Sequence, residues 1–121
     1  MLFDLSGSRI KSTPYPETFE LLNRLTREEL QIARDRLNEM IDGDEIHTSS
    51  WMPGSDWSDT PFHPIWEKAA KKNVDLAAKI FGVLVWDVFR ERSEKWITGR
   101  FEKNGEPISG RTYFRDRRDA G

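Results

Sequence analysis

Asp56, Asp59 and His63 stand close together between Pro53 and Pro64. Carboxylates beside an imidazole could hold a divalent metal ion or work as an acid–base pair. Their spacing matches no established ligand pattern: neither His-Glu-x-x-His nor His-x-Glu with paired Cys occurs. The plainer expectation is that Asp59 or Thr60 caps the following turn and His63 packs between prolines. His47, beside Asp44 and Glu45, is a second carboxylate–imidazole group and reads as a solvated turn. Glycine-rich phosphate loops are absent, as is Gly-x-Ser-x-Gly. Ser49, Ser50, Ser55 and Ser58 suit turns and caps, and His63 is the only nearby base for any of them. No constellation has catalytic logic. The chain therefore leans away from being an enzyme, and no catalytic residue, metal or cofactor is expected.

The stretch from Ser50 to Trp66 holds three of the five Trp, a Phe, one of the two His and three of the six Pro. Large aromatics are costly to leave in water, yet Pro and Gly forbid a regular helix or strand here. A loop this long in a small domain is uncommon and often functional. It is expected either to cover the core or to wall a binding site. As a pocket it would use Trp51, Trp57, Phe62 and Trp66, with Asp56, Asp59 and His63 supplying polarity. As a contact surface it would present Trp51 and Trp57.

Basic and aromatic residues interleave near the C-terminus: Arg100, Phe101, Lys103, Arg111 and Tyr113, then Arg115, Arg117 and Arg118. Such a ribbon could track a nucleic-acid backbone and stack bases. Glu102, Glu106, Asp116 and Asp119 dilute the charge, and the whole chain carries a net charge of −2. A nucleic-acid binder shows a far more basic footprint, so this partner is not expected. Arg100 and Arg111 are instead candidate protein contacts.

The elements that position these residues follow from local signals. Residues 17–24 read as a short helix with Phe19, Leu22 and Leu25 on one side. Thr26-Arg27-Glu28-Glu29 is a capping box. It predicts a helix from Arg27 to about Ile41, with Leu30, Ala33, Leu37, Met40 and Ile41 on one stripe and Gly43 as the stop. Asp42, Asp44 and Glu45 crowd its negative end, which invites a cation or a basic partner but more often is simply a solvated turn. A helical piece is predicted from Pro64 to Lys72. Asn73 then caps a helix from Val74 to about Arg92, the most apolar in the chain. Val74, Ala77, Ala78, Phe81, Leu84, Val85, Val88 and Phe89 form one broad face, and Leu76, Ile80 and Val83 a second. A helix apolar on two sides is sandwiched between layers or meets another subunit. Trp86 falls on its polar strip, between Asp75 and Lys79, and is the best candidate there for a partner contact.

Ile97–Lys103 and Glu106–Phe114 flank Asn104-Gly105, the strongest short-range hairpin signal. Ile97 and Phe101 share one strand face, and Ile108, Thr112 and Phe114 share a face of the return strand. A lone hairpin is marginal in water. It must pack on the helices, gain the N-terminal segment as a third strand, or pair with a second chain. Residues 1–13 read as an extended arm or that strand, and 115–121 as a polar tail.

The 121 residues fit one domain. Seven Phe, five Trp and two Tyr are too many aromatics for a disordered chain, and the absence of Cys rules out disulfides and thiolate chemistry. Neither a signal peptide nor a membrane span is visible, and the expected compartment is the cytoplasm. The expected fold is α+β and predominantly helical, with about four helices and a C-terminal hairpin. The expected function is a non-catalytic interaction protein, a homodimer that binds another protein; the alternatives are a small-molecule-binding protein or enzyme with its pocket at the aromatic loop 51–66, and third a nucleic-acid binder through the basic C-terminal hairpin. The contact residues are Trp51, Trp57, Trp86, Arg100 and Arg111.

Overall fold

The computed structural model describes residues 1–43, 46–48, 60–99, 102–103, 106–107 and 112–116, with 46–48, 102–103 and 106–107 as backbone only. The fold is α+β and predominantly helical, as the sequence predicts. The described elements, in chain order, are β1 (Leu2–Phe3), β2 (Arg9–Ile10), α1 (Pro16–Glu20), a 3-10 turn (Leu21–Arg24), α2 (Arg27–Gly43), β3 (Ile46–Thr48), a π turn (Ile65–Ala69), α3 (Val74–Glu91), β4 (Trp96–Gly99), β5 (Glu102–Lys103), β6 (Glu106–Pro107) and β7 (Thr112–Arg115).

The capping box forms as the sequence predicts. The Glu29 amide donates to Thr26 Oγ1 at 3.1 Å, and the Thr26 amide donates to Glu29 Oε1 at 2.8 Å. The same Glu29 carboxylate meets Lys68 Nζ at 2.8 Å, which ties the start of α2 to the π turn. Ala33, Leu37 and Ile41 of α2 are buried, as their stripe requires. Asn73 caps α3 through a 3.1 Å bond from the Leu76 amide.

The segment predicted as a helix from Pro64 to Lys72 is a single π turn. The Ala70 amide reaches Ile65 O at 2.9 Å, and the Lys72 amide reaches Trp66 O at 2.7 Å. Lys71 and Lys72 then adopt left-handed φ values of 50° and 68°, which ends the turn and redirects the chain into α3. Left-handed backbone is costly for residues with a Cβ, so packing imposes this exit.

Both apolar faces of α3 are covered within the chain. Helical segments α1 and α2, the π turn and strand β1 all pack on it. Phe89 stacks on Tyr113 of β7 at 4.1 Å between ring centroids and meets Trp96 of β4 edge-on at 4.8 Å. Val74 and Ala78, expected on the broad face, are exposed at the N-terminal end.

The described strands form a mixed sheet in the order β2-β1-β4-β7-β3, beside a two-stranded ribbon β5-β6. The N-terminal segment does supply a strand: β1 runs parallel to β4, with Leu2 opposite Trp96 and Phe3 opposite Ile97. β2 turns back antiparallel to β1 at the sheet's edge. β4 and β7 pair antiparallel with Ile97 opposite Phe114, which places these two on one face of the sheet. Lys103 opposes Glu106, the register of a two-residue connection at 104–105. Two expectations are corrected. His47 sits in β3, paired opposite Tyr113, rather than in a solvated turn. Arg115 closes β7 opposite Trp96 and does not begin the polar tail.

Candidate functional site

Alternation along β4 and β7 gives the sheet two unlike faces. Trp96, Thr98 and Tyr113 point toward α3 and are at most 1% exposed. Phe3, Ile97 and Phe114 occupy one register row across β1, β4 and β7 on the opposite face, with Ile46 of β3 next in that row. The three aromatic and aliphatic side chains of this row are half-buried. Leu5, 58% exposed, lies over the same face. A Cβ at Gly99 would come within 2.6 Å of Leu5 Cδ1, so the bare glycine is what lets that side chain settle on the sheet.

A hollow of ≈ 300 Å³ opens on this face, lined by Phe3, Asp4, Leu5, Lys95, Ile97 and Asp116. The turn between β1 and β2 builds one rim. Asp4 Oδ1 accepts bonds from the Ser6 hydroxyl (2.6 Å), the Ser6 amide (3.0 Å) and the Ser8 amide (2.9 Å). The Ser6 hydroxyl bond, followed by the Ser8 amide bond, holds the Asp4 carboxyl below the usual carboxylate range. Gly7, at φ 89°, makes the left-handed step that this turn requires. On the opposite rim the Asp116 amide bonds Lys95 O at 2.9 Å, which extends the β4–β7 ladder. Lys95 Nζ sits 5.9 Å from the Phe3 ring centroid, close enough for a cation–π contact. The site thus combines an apolar floor with charges of both signs at its edge, and with the Ser6 hydroxyl held by the Asp4 carboxylate.

The residues singled out from the sequence fare differently. Trp86 does not face solvent: it is 9% exposed, and its Nε1 donates to Ser12 O at 3.1 Å. Position on a polar helical strip did not keep it exposed because the chain between β2 and α1 crosses over the ring. Beside it, Asp87 is buried and joined by Thr13 Oγ1 at 2.5 Å, Arg34 at 2.7 Å and Arg90 at 2.7 Å. Burial pushes the Asp87 carboxyl up, but the Thr13, Arg34 and Arg90 hydrogen bonds outweigh it and hold it below its ordinary value.

Phe62 is core, 2% exposed and edge-on to Phe81 at 5.0 Å, so it does not wall an open pocket. Trp66 is half-buried against the core. His63 lies 5.5 Å from the Trp66 ring, and its Nε2 is 3.5 Å from Glu67 Oε2. Its described carboxylate neighbour is therefore Glu67, four residues on, a spacing that puts both on one helical face. Trp51, Trp57, Asp56, Asp59, Arg100 and Arg111 lie outside the described residues. Among the described residues no group of three or more His, Asp or Glu is placed to hold a metal ion. No described helix is long and apolar enough to cross a membrane.

The sequence did not single out Phe3, Leu5, Lys95, Ile97, Phe114 and Asp116 as a site. One signal was available. Trp96-Ile97 is apolar on both strand faces, the pattern of a strand covered on both sides. Comparison with protein-family models, with curated proteins and with solved structures returns no match.

Proposed function

We propose that this chain is a non-catalytic interaction protein, self-associating as a homodimer, that binds another protein through the outer face of its sheet. The observation that carries this reading is the half-buried row of Phe3, Ile97 and Phe114, with exposed Leu5 beside it, on the face turned away from α3. Apolar rows rimmed by polar groups mark interaction surfaces. Two carboxylates, Asp4 and Asp116, stand against one ammonium, Lys95, around the hollow. That balance favours a partner segment that presents an apolar side chain next to a Lys or Arg. Trp51, Trp57, Arg100 and Arg111 remain proposed contacts. Described β4 ends at Gly99 and described β7 begins at Thr112, each one residue from one of those arginines.

The test is a capture from lysate of the native host with wild type and with Ile97→Lys, each checked for folding by circular dichroism. A protein held by the wild type and lost by the folded variant is expected. Once purified, it should bind the wild type directly in calorimetry, at least tenfold more tightly than the variant. Equal binding by both chains would reject the sheet face as the docking surface.

A further inference from the structure

We infer that residues 1–14 exchange between two copies of this chain, the arm of each taking the other's seat on α3 and β4, with Tyr15 as the hinge. This rests on the self-association in the function proposed above, and it names the segment that would carry it.

Three observations converge. First, the arm is anchored to distant parts of the chain. Leu2 and Phe3 pair with Trp96 and Ile97. The Trp96 amide bonds Met1 O at 2.9 Å. Trp86 Nε1 bonds Ser12 O, Thr13 Oγ1 bonds Asp87, and Arg90 Nε bonds Thr13 Oγ1 at 3.3 Å. All of these partners lie between Trp86 and Ile97, so the same bonds form whether the arm comes from its own chain or from a second copy.

Second, the arm forms one whole edge of the sheet. In the order β2-β1-β4-β7-β3, removal of β2 and β1 leaves the pairings among β4, β7 and β3 intact. The arm also carries its own internal structure, the β1–β2 pairing and the Asp4 turn. It can therefore move as a unit.

Third, strain is stored where such an exchange would open. Tyr15 has φ 53° and ψ 64°, left-handed backbone in a residue with a Cβ, and is 71% exposed. It lies between Pro14 and Pro16, and Pro16 begins α1. A residue before proline favours extended backbone. Folding the arm back onto its own chain forces Tyr15 away from that preference, and opening the hinge restores it. Exchange of an identical element is a low-cost route to a dimer, and short strained hinges favour it.

The experiment uses the full chain, isotope-labelled and unlabelled copies refolded together, with sedimentation equilibrium to define the assembly. Isotope-filtered NMR then reads contacts that cross from one copy to the other. Expected are cross-chain signals between the Leu2 methyl groups and the Trp96 ring, both buried and out of reach of any surface contact between closed copies. Tyr15→Gly, which accepts the left-handed hinge, is expected to raise the dimer dissociation constant at least about fivefold. A dimer whose Leu2–Trp96 signals are all within one chain would overturn the exchange and leave self-association standing. A monomer at every concentration would overturn both.

Discussion

The two faces of one sheet are built from alternate residues of the same strands, yet they end in different surroundings. On the inner face Trp96, Tyr113 and Phe89 form a closed aromatic stack with Leu2 fully buried beside them. On the outer face Phe3, Ile97 and Phe114 are as apolar, but the described chain covers them only in part, with Leu5 lying across Gly99. Residue chemistry does not separate the faces. What separates them is that α3, the most apolar helix, can lie on only one. The row left over is the surface on which the proposed partner would dock.

The largest expected effect tests the sealed face. Phe89→Ala removes the ring that contacts both Tyr113 and Trp96 and should cost about 3–5 kcal/mol in urea unfolding. Asp87→Ala comes next. It leaves the Arg34 and Arg90 guanidiniums without their buried partner and should cost about 3 kcal/mol. Its pH signature has a definite sign. Because the folded carboxyl is held below its unfolded value of about 3.9, its stabilisation is complete above that pH. It is lost as pH falls through the lower, folded value. Melting temperature against pH should therefore show an acid limb below about pH 4 that shrinks in Asp87→Asn.

Ile97→Ala, on the outer face, should cost less, about 1–2 kcal/mol, since its side chain is only partly buried. A cost equal to that of Phe89→Ala would break the comparison and show that the outer row is sealed. Gly99→Ala is the smallest, under about 1 kcal/mol, because the side chain in its way is the mobile end of an exposed Leu5. Leu5→Ala in the same chain should remove that cost, a coupling that a double-mutant cycle in chemical denaturation would read.

Some of the outer apolar row was within reach of the sequence. The signals around Asn104-Gly105 put Ile97 and Phe114 on strands, but a two-residue turn alone would set Ile97 opposite Thr112, and the observed pairing with Phe114 is shifted by two residues. Phe3 was not within reach, because the parallel pairing of β1 with β4 joins opposite ends of the chain and leaves no local mark. The polar strip of α3 predicted an exposed Trp86 for the same reason: a helical wheel knows only its own helix. The crowd of acids at the end of α2 shows the reverse case. Of its two readings, a cation site or a solvated turn, Arg92 meets the first: from the end of α3 it pairs with Asp42 and makes a 2.7 Å bond to Asn38 Oδ1.

The sequence by itself determined what forms within a few residues of its signal: the Thr26–Glu29 capping box, the Asn73 cap, the stripes of α2 and α3 and the two-residue connection of the ribbon. The caps depend on side chains reaching backbone groups three positions away, and the stripes on helical periodicity, so both are written in local order. Only the tertiary structure decided that β1 would lie parallel to β4, that Ile46–Thr48 would pair with β7, and that Ser12 and Thr13 would cover Trp86 and Asp87. Short strands of two or three residues have too little intrinsic preference to declare themselves. They gain their order from partners already held in place by the helical core, and that dependence is not carried by any short stretch of residues.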